Sequence, residues 1–266
     1  MKIAAFMVVK NDVYYISMAL DSVRPFVDGV YIQDQGSTDG TWEKIQDIIK
    51  ENGENILAEQ VITGLERFDP EYDEPYYRTM AVERCEEHFK PDWILKLDAD
   101  EIYTQGFFRR LHNNDLLVPE HEVYAIRVSG DRFISTTRRT IHPSCIEISP
   151  EGVPFVDPHT QLWRAGRGVQ YISNPAFKAF HPILSPDPSP QYWMPGICNI
   201  HIHRMFGPKA VKFWEEGGEK MSGPPYDPPT MTPKWYYSAI NMGNSEKADF
   251  KFPDYVMNKW KEWGCW

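Results

Sequence analysis

Asp98, Asp100 and Glu101 place three carboxylates within four positions. Carboxylates that close repel one another, and burying them is costly unless something neutralises them. A divalent cation is the usual solution. On a regular strand Asp98 and Asp100 would point to one face, where they could hold a hard cation through oxygen, directly or through water. A strand end running into a solvated acidic turn would have the same sequence. A second set of candidates is Asp34-Gln35-Gly36-Ser37-Thr38-Asp39-Gly40-Thr41. Its glycines permit tight or left-handed backbone, and its Ser, Thr and Asp residues suit a helix cap. Asp34 can accept hydrogen bonds from a ligand or open the turn. Asp39 can do the same or cap the following helix.

The elements that must hold these residues follow from hydrophobic period. Ile3 to Val9 is a continuous apolar run, as in a buried parallel strand, and Lys10-Asn11-Asp12 ends it. Ile16, Ala19, Leu20 and Val23 predict a helix that stops before Pro25. Val27–Ile32 reads as a second strand, Trp42 to Asn52 as a second helix, and Gln60–Thr63 as a third strand. Residues 68–77 read as an acidic, aromatic surface loop. A helix over Arg78–Phe89 follows, then the largely apolar strand Trp93–Leu97. Arg78 would open its helix, where a cation is unfavourable. A bound anion would account for it, as would an ion pair with Glu71 or Glu74. The β-α-β-α-β order predicts an α/β fold with a mostly parallel central sheet and helices on both faces. Ligands of such sheets bind beyond the carboxyl ends of the strands, where both Asp-rich segments fall.

The chain has 266 residues, of which 42% are hydrophobic, enough to fill a sizeable core. A formal net charge of -10 argues against general electrostatic binding of nucleic acid. It also gives an anionic ligand no help, so a phosphate would need a local Arg, a helix N-terminus or a metal. Cys85, Cys145, Cys198 and Cys265 are scattered without a metal or disulfide spacing, which fits a reducing compartment. No secretory leader and no transmembrane helix are expected, since no stretch approaches ~20 apolar residues. The expected location is cytoplasmic, with peripheral contact to a membrane left open.

Taken in order, the Lys-Asn-Asp break, the Asp-Gln-Gly-Ser-Thr-Asp-Gly-Thr turn, the helix begun by Arg78 and Asp-Trp-Ile-Leu-Lys-Leu-Asp-Ala-Asp-Glu resemble the family-2 type glycosyltransferases of GT-A fold. The resemblance covers roughly residues 1–110. It implies a nucleotide-sugar donor, UDP-linked by preference or else GDP- or dTDP-linked. It implies a glycan or glycoconjugate acceptor, and Mn²⁺ or Mg²⁺ as cofactor. By position, Lys10, Asp34, Asp39, Arg78 and Asp98 would contact the nucleotide, and Asp98 and Asp100 the metal. Relatives usually carry Asn after the Arg, where this chain has Thr79. Inverting members need a carboxylate base. Asp157, in a stretch resembling that of relatives, is the first candidate and Asp131 the second. Asp157 also fits a plain Asp-Pro turn. His201 and His203 alternate with isoleucines and would share one strand face. Relatives often use a late His as an additional metal ligand, which favours His203 over His201. A structural, hydrogen-bonded role suits either.

The expected organisation is one domain over residues 1–205, with a nucleotide-sugar half (1–110) and an acceptor half (111–205). A Pro- and aromatic-rich C-terminal extension, 206–266, would pack on it. Pro208–Glu216 reads as a short helix there. The Pro-rich segments 182–195 and 224–233 read as ordered loops. Three rivals remain. A nucleotidyltransferase would want a Gly-rich phosphate loop that Lys10-Asn11-Asp12 lacks. A metallohydrolase would use His201, His203, Asp98 and Asp100. A non-catalytic sugar-binding relative would not need Asp98 and Asp100 intact.

Overall fold

The structure is a computed structural model that describes residues 1–52, 55–65, 71–113, 123–135, 138–140, 146–156, 158–174, 178–202, 245–247, 254 and 257–258. In chain order the elements are β1 (Ile3–Val9), α1 (Ile16–Val23), β2 (Gly29–Asp34), α2 (Thr41–Asn52), β3 (Ile56–Gln60), α3 (Glu74–Phe89), β4 (Trp93–Lys96), β5 (Glu101–Tyr103), α4 (Gln105–Asn113) and β6 (Ala125–Ser135). There follow β7 (Arg138–Thr140), β8 (Ile146–Ile148), β9 (Pro154–Val156), β10 (Pro158–Arg164), β11 (Gln170–Asn174), β12 (Lys178–Ser185), β13 (Gln191–Trp193), β14 (Asn199–His201) and β15 (Ser245–Lys247). The chain divides into two compact units. The first holds residues 1–99, 105–127 and 160–194, and the second holds 100–104, 128–159 and 195–266.

The first unit is built on a sheet in which β4, β1, β2 and β3 lie side by side in parallel, with β10 antiparallel along the outer edge of β4. This is the α/β fold with a mostly parallel central sheet that the sequence predicts. Both faces of β1 and β2 are buried, which is why β1 reads as an unbroken apolar run and β2 as one up to Gln33. The crossovers through α1 and α2 carry the chain from β1 to β2 to β3. The crossover through α3 returns it past β1 to β4, in the opposite sense. Right-handed connections therefore put α3 on the other face from α1 and α2. There Ala81, Val82 and Cys85 of α3 pack on Ala4, Phe6, Tyr31 and Ile94. Burial pushes the Cys85 thiol up to about 12, so it stays protonated at neutral pH. Phe6, Trp163 and Tyr171 meet at ring separations of 5.9 to 6.2 Å and fasten the hairpin β11–β12 to the same face.

In the second unit β14 lies between β5, to which it is antiparallel, and the later residues of β6, to which it is parallel. β7 pairs with the end of β6 and with β15, and β8 forms a hairpin with β9.

β1 and α1 match the expected bounds, and α2 begins one residue earlier than expected, at Thr41. β2 starts and ends two residues later than expected, because a 3-10 turn over Arg24–Phe26 delays the strand and Asp34 stays in the ladder opposite Val9 and Gln60. β3 shares only Gln60 with the predicted Gln60–Thr63. Ile56 and Leu57 pair with Val30 and Tyr31, whereas Ile62 is 75% exposed. α3 begins at Glu74, a turn before Arg78, because the Asp73 carboxylate accepts from the Tyr76 amide and Pro75 suits the first turn. The residues 74–77 are therefore helix rather than loop. The cation at a helix N-terminus disappears as a puzzle, since Arg78 lies one turn inside. β4 stops at Lys96, and the chain leaves it through Asp98 into a turn at Ala99-Asp100, so the two acids are not held to one strand face. The segment 182–195 is not all loop: Pro182 lies in β12, an edge strand that tolerates proline, and β13 pairs with β6. Pro208–Glu216 and the segment 224–233 lie outside the described residues, as does the predicted junction at 205/206.

Gly29 is fixed by the packing of α3. A Cβ there would overlap the ring of Phe89. Gly29→Ala is expected to destabilise the protein by about 1–3 kcal/mol in urea unfolding. Adding Phe89→Ala should cost less in that background than in wild type, because the two changes share one space.

Candidate active site at the carboxyl edge of the sheet

The loops after β1 and β2 are stitched to each other. The Asn11 amide donates to Ser37 Oγ at 2.9 Å, and the Thr38 amide donates to Asn11 Oδ1 at 2.8 Å. The Asp12 amide donates to Thr41 Oγ1 at 2.8 Å, and the Val13 amide donates to Asp39 Oδ2 at 3.2 Å. Asn11 adopts a left-handed φ of 58°, which Asn tolerates better than most residues. Asp39 also accepts through Oδ1 from the amide and hydroxyl of Thr41, at 3.0 and 2.5 Å. Both its oxygens thus hold the loops and the first turn of α2. Lys10 turns to one side and donates from Nζ to the Leu65 carbonyl at 2.6 Å.

Asp34 divides its work. Oδ1 accepts from the amides of Gly36 and Ser37 and from Gln60 Nε2, each at 3.0 Å, and so builds the turn. Oδ2 is buried and has no hydrogen-bond partner among the described residues. The flanking Gln33 and Gln35 are buried too. Neither polar atom of the Gln33 amide has a partner among the described residues, nor does Gln35 Nε2. Gln35 Oε1 is fixed by the Tyr72 hydroxyl at 2.5 Å. Buried polar atoms are rarely left unpaired, so the end of β2 is a place built to meet a ligand or water.

On the α3 face the site is ionic. Arg78 is 7% exposed; its Nε donates to Glu74 Oε1 at 2.8 Å and its Nη1 to Asp98 Oδ1 at 3.0 Å. Burial alone would depress the guanidinium, but the Asp98 and Glu74 charges outweigh it and hold its pKa well above the usual arginine value. Asp98 Oδ2 accepts from Lys96 Nζ at 2.6 Å. Two cations and two carboxylates thus balance in charge. The guanidinium also lies over the Tyr171 ring, 5.7 Å from its centroid. Thr79 secures that ring: its Oγ1 accepts from the Tyr171 amide at 2.9 Å and donates to the Tyr171 carbonyl at 3.3 Å.

The first unit therefore brings together Asp34, Arg78 and Asp98 at one sheet edge, with Lys10 and Asp39 in the loops beside them. Arg78 pairs with Glu74, as one of the two sequence readings had it, but the pair is buried rather than at the surface. Sequence reasoning missed Gln33, Gln35, Lys96 and Tyr171. A polar side chain inside an otherwise apolar strand, as at Gln33, was the available signal.

Asp100 belongs to the second unit, where its carbonyl accepts from the Ile202 amide at 2.9 Å. His201 sits opposite the buried Glu101 in the β5–β14 ladder, with Nε2 3.3 Å from Glu101 Oε1. Asp131 lies on β6 opposite Ile200 of β14. Asp157 and His203 lie outside the described residues. Among the described residues no three His, Cys, Asp or Glu side chains group as a metal site. The Asp98 carboxylate nonetheless has the chemistry a hard divalent ion requires, and its two oxygens already hold positive charge. No helix among the described residues is long and apolar enough to cross a membrane.

No protein-family model matches the chain, and no curated protein does. Solved structures align over part of it. S. aureus TarS in complex with UDP is 20% identical over 50% of this chain and 36% of its own, at a TM-score of 0.38. The mannosyltransferase PcManGT from Pyrobaculum calidifontis, in complex with GDP-Man and Mn²⁺, is 17% identical over 50% of this chain and 36% of its own, at 0.37. The glucosyl-3-phosphoglycerate synthase of Mycobacterium tuberculosis, with Mn²⁺ and UDP-Glc, is 22% identical over 50% and 44%, at 0.32. The aligned part of this chain thus spans less than half of each of these structures.

Arg78→Met is expected to cost roughly 3–5 kcal/mol in urea unfolding, because it takes a buried cation from both Glu74 and Asp98. Adding Glu74→Gln should recover part of that loss, the reverse of what two independent contacts would do.

Proposed function

We propose that this chain is a nucleotide-sugar-dependent glycosyltransferase that moves a sugar to a hydroxyl of a glycan or glycoconjugate. The observation that carries the reading is the edge of the first unit. There a buried Asp34 oxygen without a partner among the described residues lies at the carboxyl end of β2, and the Arg78–Asp98 pair lies beyond that of β4, the strand on the other side of β1. A nucleoside diphosphate offers what this edge asks for. Its base and ribose supply donors for Asp34 Oδ2 and polar partners for Gln33 and Gln35. Its phosphates suit the cations of Arg78 and Lys96. The order of motifs along residues 1–110 supports the same reading through its resemblance to the family-2 type glycosyltransferases.

In the proposed roles Asp34, Lys10 and Arg78 contact the nucleotide. Asp39 is kept with them by the resemblance, although both its oxygens hold the surrounding loops. Asp98 and Asp100 would hold Mn²⁺ or Mg²⁺, with His203, or else His201, as a further ligand. The ion supplies Lewis-acid neutralisation of the leaving diphosphate. With an inverting course, the acceptor oxygen bonds to the anomeric carbon as the carbon–oxygen bond to the diphosphate breaks. The hydroxyl proton passes to a carboxylate, Asp157 or Asp131. The proposed organisation keeps a nucleotide-sugar half over 1–110, an acceptor half over 111–205 and an extension over 206–266.

A thermal-shift panel of UDP, GDP, CMP and dTDP, each with and without Mn²⁺, tests this. One nucleotide is expected to raise the melting temperature by mass action, more with Mn²⁺ than without, and to lose the effect in Asp34→Asn. A well-folded sample that no nucleotide shifts under either condition would sink the reading.

A further inference from the structure

We infer that the side-chain amide of Asn199, in the second unit, binds neighbouring hydroxyls of a carbohydrate. The inference rests on the transferase reading and deepens it by naming a residue that holds the acceptor. β14 is three residues long and buried throughout. Its ladder with β5 sets the faces: Ile200 lies opposite Ile102, while Asn199 lies opposite Tyr103 and His201 opposite Glu101. One face is therefore apolar and the other polar. On the β6 side Asn199 is paired with Gly130, which brings no side chain to that face. A glycine inside a strand often marks a place where a ligand or a second backbone comes close.

Asn199 is 0% exposed, and neither Nδ2 nor Oδ1 has a hydrogen-bond partner among the described residues. Asparagine is depleted in strands, and an unpaired buried amide costs the desolvation of both its ends. Glu101 and His201 lie further along the same face but meet each other, with Oε1 and Nε2 3.3 Å apart. An apolar side chain at 199 would avoid the cost, as Ile200 and Ile202 do beside it. A polar group kept where the fold gains nothing from it points to a ligand. The amide itself sets the chemistry of that ligand. It offers N–H donors and a carbonyl acceptor side by side, so its match both donates and accepts. A dianionic phosphate only accepts and an ammonium only donates, and each leaves one end of the amide unpaired. Two adjacent hydroxyls of a sugar ring do both: one accepts from Nδ2 while the other donates to Oδ1.

The test uses the full chain, wild type and Asn199→Val. Saturation-transfer NMR with the methyl glycosides of glucose, galactose, mannose and N-acetylglucosamine reads sugar binding. At least one glycoside is expected to bind wild type, and to bind the variant about tenfold more weakly. The melting temperature without any ligand reads what the amide costs the fold. Asn199→Val is expected to raise it by about 2–4 °C, the opposite of what a structural asparagine would give. If Asn199→Val does not fold by circular dichroism, Asn199→Ala removes the amide without adding bulk and carries the binding measurement. A glycoside bound equally by wild type and variant overturns the inference. So does a folded Asn199→Val that melts below wild type, since the amide would then be serving the fold. Failure of wild type to bind any of the four glycosides overturns it as well. In that last case a nucleotide-dependent thermal shift still upholds the transferase reading, so the two failures are told apart.

Discussion

Parallel hydrogen bonding of β1 to both β2 and β4 is the constraint from which the rest of the first unit follows. Val9 pairs with Asp34 on one side, and Phe6 pairs with Lys96 on the other. Parallel registers send all three strand ends to the same edge. The loops that carry Lys10, Asp34 and Asp98 therefore emerge together, whatever their side chains are. Antiparallel pairing of either neighbour would have sent one acid to the far edge. The return crossover through α3 then fixes the face from which Arg78 can approach, because right-handed connections leave it no other.

Once the acids share an edge, their charge has to be managed. Two unit charges at about 4 Å interact by roughly 4 kcal/mol at an effective dielectric of about 20, and desolvation of each ion works against that gain. Glu74, Arg78, Asp98 and Lys96 meet the condition by balancing two charges of each sign at short range. Arg78 suits the middle of the chain, since a planar guanidinium can serve two carboxylates at once. The quartet is better read as preorganisation than as stability, because a buried ion pair seldom outperforms apolar packing of the same volume. Its gain is that a guanidinium and an ammonium are held in place beside Asp98 in a chain whose formal net charge is -10.

Hydrophobic period made β1, α1 and α2 legible because each is buried on a regular face of its own: Ile16, Ala19, Leu20 and Val23 are buried as their spacing implies. β3 was not legible, because an edge strand with Glu59 and Gln60 in it has little period and the neighbouring Val61-Ile62 looks more strand-like. The start of α3 was missed for a local reason: Asp73 and Pro75 are cap signals hidden in an acidic stretch that composition marks as loop. The spacing of Asp98 and Asp100 made them stand out in the sequence, and Asp98 does meet Arg78 and Lys96. Site chemistry was not legible where it depends on which strand face a residue takes. Gln33 and Gln35 gain meaning only from burial, and Lys96 only from its distance to Asp98. The Thr79 position departs from the pattern of relatives, yet its hydroxyl meets both main-chain polar groups of Tyr171, a partner 92 residues away that no sequence window contains.

The two acids of the Asp-x-Asp segment are not equivalent, and the reason is again hydrogen bonding rather than charge. The ladder of β4 is extended by one bond, from the Leu97 amide to the Phe6 carbonyl, so Asp98 stays registered to β1 and within reach of Arg78 and Lys96. The unit boundary falls between Ala99 and Asp100. Asp100 takes its bearings from β14 through the Ile202 amide, just ahead of the antiparallel ladder in which Glu101 faces His201. Different backbone ladders therefore position carboxylates only two residues apart. Asp98 pairs with Arg78 and Lys96 of its own unit.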